Sequence, residues 1–492
     1  MVRNLLAGQR SKGRIAVIEH DQEISYRDLI HKASVLKSLL PSYRVGAAAL
    51  FLPDSADYVA AFWGIISAGR PVLPINAAMT GHEIGPLLKA AAVNLVVTSK
   101  QFYRTFTELG CDETMPLSII YMEELTDQIC QNDPASIEVS ADETMVLMNT
   151  SGTTGKYKIV ELSERNIDAA VEGYLEKAAL DENEIKDNKV ILAAPFSSVY
   201  GLMILTACLK HAFPIVIMDH NFTLNALYRT IAGHQVTHYE GSGSVITMME
   251  QMAGRPVPYD ISSLRYMGFG GSKVSGKSIG RVMKAYPQIE FSEGYGMTEA
   301  APLIAKRPRG MAGREESAGT AIAGLLIVIE TESGRTDSPG IIGEIIVKGP
   351  NVMRGYYNDE EETARVFKNG YLYTGDIGYL DRDGFLYICG RKKNLIIVRG
   401  FNVYPEEVEA CIQNSMLVKD CFVYGQTDCD GNESVCADVI PLHSQVHAAA
   451  IKQYCSTRLA EYKLPQKINL CETIAKNMTG KTERSKGVSS WS

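Results

Sequence analysis

Apolar positions along this 492-residue chain fall into short β-branched runs separated by stretches with helical spacing. Residues 14–18 predict a strand, and 26–40 predict a helix with Leu29, Ala33, Leu36 and Leu40 on one face and Ser25 as its N-cap. The alternation continues with a buried strand at 47–52, a helix at 57–68 closed by Gly69, and strands at 93–98, 145–149, 190–194, 214–218 and 341–347. Strands alternating with helices predict a mainly parallel α/β arrangement, with antiparallel character around the glycine-rich 341–347 region. The most apolar stretch, 199–218, is broken by Lys210, His211 and Pro214, so it reads as buried core and not as a transmembrane segment.

Near residue 390 the pattern changes: Gly390-Arg391-Lys392-Lys393-Asn394 is a charged break between apolar strands at 385–389 and 395–398. Beyond it, a helix at 406–413, strands at 420–424 and 435–440, a helix at 448–460 and a strand at 467–470 predict a small α+β unit of about 100 residues. The expected division is a large multi-sheet α/β domain over 1–390 and a small mobile α+β domain over 391–492, hinged at 391–393.

Composition narrows the partners. Forty-nine Lys and Arg against 57 Asp and Glu give a net charge of −8, with no basic half to serve as the footprint of nucleic-acid binding. The ten cysteines form no C-x-x-C pair, and no histidine stands at finger spacing, so a zinc site is not expected. Residues 1–14 lack an apolar leader core, and together with unpaired thiols this predicts a cytoplasmic protein.

The chemistry concentrates after the strand at 145–149. Thr150-Ser151-Gly152-Thr153-Thr154-Gly155-Lys156 places four hydroxyls, two glycines and a lysine where backbone N–H groups can surround a polyphosphate. The G-x-x-x-x-G-K-[ST] spacing is absent, so the P-loop reading does not follow, and a plain Ser/Thr/Gly turn is the alternative.

Residues 150–158 resemble the T-S-G-T-T-G-x-P-K-G loop of the adenylate-forming superfamily of acyl-CoA synthetases, luciferases and nonribosomal-peptide adenylation domains, with Tyr157 and Ile159 replacing the usual Pro and Gly. Further segments resemble that family in order. Glu293-Gly294-Tyr295-Gly296-Met297-Thr298-Glu299 is similar to its Y-G-x-T-E segment, which implies Tyr295 on adenine, Thr298 on a phosphate oxygen and Glu299 as a Mg²⁺ ligand. Gly270-Gly271-Ser272 resembles the wall between adenine and acyl group, and Gly343-Glu344 with Arg354-Gly355-Tyr356-Tyr357 resembles a structural segment. Thr374-Gly375-Asp376 resembles the T-G-D segment, whose carboxylate accepts from the ribose hydroxyls. The resemblance implies Arg391 on ribose or phosphate and Lys393 as the pivot; Thr479-Gly480-Lys481 resembles the tail loop, which puts the adenylation lysine at Lys481.

The family implies ATP-dependent activation of a carboxylic acid as acyl-AMP, with Mg²⁺, followed by transfer to a thiol. The small domain turns between the two steps, and Gly400 and Phe401 line the thiol tunnel. The motif wording is closest to fatty acyl-CoA synthetases, so the acid is expected to be fatty or aryl, held by Ser198, Tyr200, Gly201 and Gly270. Ser198 stands where many relatives carry a histidine capping the acyl pocket; a satisfied core hydroxyl is the other reading. The acceptor is coenzyme A, or phosphopantetheine on a separate acyl or peptidyl carrier protein drawn to a basic patch of Lys392, Arg399, Lys463 and Lys467. Departures at Tyr157, Ile159 and Asn477 keep a catalytically degenerate adenylate-binding scaffold among the alternatives.

Overall fold

The capping signals read from the sequence are used as written. In the computed structural model Ser25 and Asp28 form a reciprocal capping box that starts the helix Tyr26–Leu39. Gly69, at φ +76°, ends the helix Ala56–Ser67, where a residue with a Cβ would be strained. These two helices cross so closely that a Cβ on Gly64 would lie 2.9 Å from the Ala33 carbonyl oxygen. Residues 2–6, 13–40, 46–109, 117–125, 139–150, 157–178, 188–218, 222–271, 274–311, 313–398, 401–427 and 433–474 are described.

The chain forms two compact units, one of residues 1–326 with 347–372, the other of 327–346 with the chain from Tyr373 onward. The first unit is built on two large sheets. A seven-stranded sheet runs in the order Gly355–Tyr356, Lys158–Ser163, Thr144–Thr150, Val72–Pro74, Ala48–Phe51, Leu95–Thr98, Ser118–Tyr121. Its pairings from Thr144–Thr150 to Ser118–Tyr121 are parallel, and the two at the other edge are antiparallel. A nine-stranded sheet runs in the order Thr320–Ala321, Leu303–Lys306, Glu290–Gly296, Tyr266–Gly270, His238–Ser242, Val190–Leu192, Ile215–Val216, Ile15–Glu19, Gln22–Ser25, parallel in the middle and antiparallel at both edges. Parallel strands covered on both faces need continuous apolar runs, and Ala48–Phe51 and Leu95–Thr98 are buried at every position. The apolar stretch 199–218 divides into the helix Val199–His211 and the strand Ile215–Val216. No helix among the described residues is long and apolar enough to cross a membrane.

The second unit is more antiparallel, as the glycine-rich sequence around 341 suggested. Tyr371–Leu380 pairs with Leu386–Arg391 and Leu326–Thr331 with Gly334–Thr336. The ribbon Ile396–Val398 with Phe401–Val403, the helix Pro405–Gln413, the helix Ala448–Ser456 and the sheet Val418–Thr427, Glu433–Pro441, Lys467–Leu470 then enclose one core around Val403, Val408, Ile412, Val423, Val439 and Ile451. The helix expected over 448–460 stops at Ser456 because Arg458 and Leu459 both donate their N–H groups to the Cys455 carbonyl, tightening the last turn.

Candidate active site

The strand Thr144–Thr150 turns back into Lys158–Ser163 with Thr150 opposite Lys158, and the Thr150 hydroxyl donates to the Lys158 carbonyl at 3.4 Å. Both arms are hydrogen-bonded in the sheet, so the hydroxyl-rich turn is anchored at its neck. Ser151, Gly152, Thr153, Thr154, Gly155 and Lys156 lie outside the described residues, as do Ser272, Gly400 and Lys481; the side chain of Phe401 does too.

The second functional segment closes on this hairpin. Glu290–Gly296 carries Glu293, Gly294, Tyr295 and Gly296 as consecutive strand residues, and the chain then makes a single 3-10 turn over Thr298–Ala300. Gly296 has no room for a side chain: a Cβ would lie 1.7 Å from the Pro302 carbonyl oxygen. That close approach folds Thr298 and Glu299 sharply back against the strand. Glu299 is buried and accepts a hydrogen bond from the Tyr356 hydroxyl at 2.8 Å. Burial, followed by the Glu299 charge, pushes the Tyr356 phenol well above the ordinary tyrosine value, so it stays a donor.

Tyr356 is the residue that the sequence reading left as structural. It pairs with Val160 in the arm of the hairpin, Arg354 donates to the Glu161 carbonyl, Met353 donates to the Glu299 carbonyl at 2.8 Å, and the Lys158 ammonium lies 5.3 Å from the Tyr356 ring. Asn351, fully buried, donates to the Ala300 and Leu303 carbonyls on either side of the turn. Residues 351–357 thus bring the phosphate hairpin and Glu299 side by side. The sequence signal for Tyr356 was a tyrosine directly after a glycine; its partner Glu299, 57 positions away, was read from the Y-G-x-T-E segment, but nothing in the sequence joined the two.

Among the described residues no group of three or more His, Cys, Asp or Glu is gathered for a metal. The buried Glu299 carboxylate beside the hairpin expected to hold polyphosphate nevertheless suits Mg²⁺, which commonly takes one or two protein carboxylates and fills its remaining positions with phosphate and water.

Of the residues expected to hold the acyl group, Gly270 lies on the strand next to Glu290–Gly296, while Ser198, Tyr200 and Gly201 lie at the start of the helix Val199–His211. Gly270 stands opposite Gly294, and a Cβ on it would come within 2.8 Å of the Gly294 carbonyl oxygen; Gly271, at φ +81°, follows with open space beside it. Ser198 caps the helix Val199–His211, its hydroxyl accepting from Gly201 N–H at 3.0 Å and donating to the Pro195 carbonyl at 2.7 Å. Gly201 lets that helix begin against the preceding loop, since a Cβ would lie 2.0 Å from the same carbonyl oxygen.

Tyr200 leads to a group of residues that was not visible in the sequence. Its hydroxyl donates to Glu240, a fully buried carboxylate in the centre of the nine-stranded sheet, and the Tyr174 hydroxyl donates to the other oxygen at 2.6 Å. Burial, with Glu240 next, holds both tyrosines well above their ordinary value. Lys306, 1% exposed, has its ammonium 5.3 Å from the Tyr174 ring and 5.7 Å from the Tyr266 ring. Burial works against that ammonium, but Tyr266 and Glu240 outweigh it and raise its pKa.

In the second unit Asp376 is buried and follows Gly375, whose φ of +71° turns the strand. Its register partner Arg391 places Nε 2.7 Å from Oδ1, and the Thr374 hydroxyl accepts the Asp376 N–H at 3.1 Å. Lys392 pairs with Glu344 at 2.7 Å, and the exposed Lys393 lies in the 3-10 turn Lys392–Asn394.

Comparison with known proteins identifies the family of the chain. Residues 6–357 match the family model described as AMP-binding enzyme, and 407–481 match the AMP-binding enzyme C-terminal domain. The chain is 29% identical over 482 residues to a 2-succinylbenzoate–CoA ligase of Bacillus subtilis, covering 97% of this chain and 95% of that protein. It is 28% identical over 491 residues to an indoleacetate–CoA ligase of Aromatoleum aromaticum, covering 96% and 94%. The solved o-succinylbenzoate CoA synthetase of Bacillus subtilis with its acyl-adenylate intermediate is similar at a TM-score of 0.84 and 27% identity, over 97% of this chain and 96% of that one. The same enzyme in complex with ATP and magnesium ion gives 0.83. A large α/β AMP-binding domain followed by a small C-terminal domain matches the fold of these proteins, and the chain belongs to the AMP-binding, adenylate-forming enzymes as an AMP-forming ligase.

Proposed function

We propose that the protein joins a fatty or aryl carboxylic acid to coenzyme A through an acyl-AMP intermediate. The observation that carries this reading is the union of the phosphate hairpin with the buried, Tyr356-held Glu299. An acid oxygen attacks the α-phosphorus of ATP, the bond to the β-phosphate oxygen breaks, and pyrophosphate departs with the electron pair. Mg²⁺ bound at Glu299 supplies charge neutralisation for the phosphates. Thr298 and the turn at 150–156 donate hydrogen bonds to phosphate oxygens, Tyr295 stacks on adenine, and Asp376 with Arg391 takes the ribose. Lys481 compensates charge on the leaving group. The thiol then attacks the acyl carbon and AMP leaves; Lys393 is the pivot that permits this second step, and Gly400 and Phe401 line the thiol's path.

Carrier-protein loading is the second reading. Of the four basic residues considered for docking an acidic carrier helix, Lys392 is paired with Glu344 and Lys463 with Glu407, which favours free coenzyme A.

Carboxylate-dependent exchange of pyrophosphate into ATP across a panel of acids tests the first half-reaction. Exchange is expected with at least one acid and is lost in Lys481→Ala; a silent wild type would make the protein an adenylate-binding scaffold. Thioester formation with coenzyme A against a carrier protein, using the same acid, separates the two acceptors.

A further inference from the structure

We propose that a cleft at the amino ends of the central strands of the nine-stranded sheet is a second binding site, one that takes a small phosphate-bearing anion. The cleft has a volume of about 570 Å³ and is lined by residues that lead into three adjacent parallel strands. Asn188 and Lys189 precede Val190–Leu192, Thr237 precedes His238–Ser242, and Ser262, Ser263 and Arg265 precede Tyr266–Gly270. Gly270 and Gly294, expected beside the acyl group and the nucleotide, stand in register at the opposite ends of their strands. From Arg265 to Gly270 the chain advances five residues, about 17 Å along the strand. Ligands of open α/β sheets ordinarily bind outside the carboxyl ends of the strands, so this cleft is separate from the adenylation site.

Its lining is cationic. Lys189 and Arg265 supply two positive charges, and no carboxylate among the described residues lines the cleft. Asp260, which accepts the Ser262 N–H at 2.9 Å, is not part of the lining. Arg265 donates from Nη2 to Asn188 Oδ1 at 3.2 Å, which settles the amide: a flipped Asn188 would set its NH₂ against the guanidinium. Asn188 is 2% exposed, and its Nδ2, like the Arg265 Nε, is buried and meets no acceptor among the described residues. Buried N–H groups are nearly always paired, so two orphan donors on one cleft wall mark the place of an acceptor that the chain does not supply. The Lys189 ammonium, half-buried, gives one of its N–H groups to the His234 carbonyl at 3.0 Å and keeps the others for the opening.

A guanidinium edge, an amide NH₂ and an ammonium around one opening match a group with several acceptor oxygens and negative charge, and phosphate presents three such oxygens. An apolar ligand would seal the orphan donors from water without satisfying them.

The test follows thermal unfolding of the full chain with inorganic phosphate, pyrophosphate and glycerol 3-phosphate at constant ionic strength. A ligand that binds only the native state raises Tm as it saturates. The adenylation site takes phosphates as well, so the readout is the difference between wild type and Ser262→Asp, which sets a negative charge at the exposed rim of the cleft. Ser262→Asp is expected to need about tenfold more anion for the same shift, as is Lys189→Gln, which keeps a donor for the His234 carbonyl. Ser333→Asp, at an exposed turn of the other compact unit, makes the same change in net charge and should leave the wild-type curve unmoved. Whichever of the three anions saturates at the lowest concentration identifies the source as a free anion or a phosphate ester. Identical curves for wild type, Ser262→Asp and Lys189→Gln would overturn the assignment, as would an equal weakening in Ser333→Asp or the absence of any saturable shift. None of these residues belongs to the acyl-AMP site, so the outcome stands whether or not the ligase reading does.

Discussion

At the centre of the seven-stranded sheet, Ala48–Phe51 is buried at all four positions between Val72–Pro74 and Leu95–Thr98. The buried polar side chains on this sheet's described strands are Thr98, which donates to the Phe51 carbonyl, and Ser163. At the centre of the nine-stranded sheet, His238–Ser242 carries His238 and Glu240 into the interior, and Ser292 and Lys306 join them from strands to one side. Both sheets use parallel central strands and β-branched flanks, so the backbone does not require the difference. An apolar centre holds the fold with dispersion and burial alone and tolerates exchange of one aliphatic residue for another of similar volume. A carboxylate kept in a sheet interior persists only if each oxygen has a donor, and replacing the whole set by apolar residues commonly stabilises a protein.

The largest effect expected from breaking this contrast is Glu240→Ala, which strands two phenols and Lys306 and should cost about 3–5 kcal/mol in urea-unfolding stability. The double variant Glu240→Leu with Lys306→Met should recover most of it; a cost for Glu240→Ala as small as that of a surface substitution would dissolve the contrast. Leu50→Ala, in the apolar sheet, should cost about 3 kcal/mol in urea-unfolding stability by leaving a cavity.

Alkali sharpens the same comparison. Tyr174 and Tyr200 are held protonated above the ordinary tyrosine value, so between that value and their folded ones the native state binds more protons than the unfolded state. Their contribution is complete below about pH 10 and declines as pH rises, by up to about 1.4 kcal/mol per pH unit for each. Urea midpoints at pH 8 and 10.5 should show the loss, and Tyr200→Phe should lessen it. Smallest is Tyr356→Phe, which removes one charge-assisted hydrogen bond and should slow pyrophosphate exchange about tenfold, or about 1.4 kcal/mol. An unaltered rate would mean that the Glu299 turn is held by Met353 and Asn351 alone.

Local signals carried the elements with clear punctuation. The N-cap Ser25, Gly69, and the strand Lys467–Leu470 could be read directly, because caps, left-handed turns and short apolar runs are written within a few residues. The helix Gly81–Ala90 could not, since Pro86 lies inside it and its capping pair, Thr80 with Glu83, is surrounded by glycine and proline. Within the site, the residues of the hairpin neck and of the Glu299 turn were readable from motif wording. Glu240 was not: in His238-Tyr239-Glu240-Gly241-Ser242-Gly243 a carboxylate among glycines reads as a solvated turn, and its donors are 66 and 40 residues away. A buried polar group is defined by partners that only the folded chain supplies.

The carboxylate resting on Gly268 ties two distant positions into one choice. A methyl at 268 and an acid at 240 claim the same volume, so position 268 admits no side chain while the acid stays where it is, and any redesign of this part of the sheet has to treat the two residues as a pair.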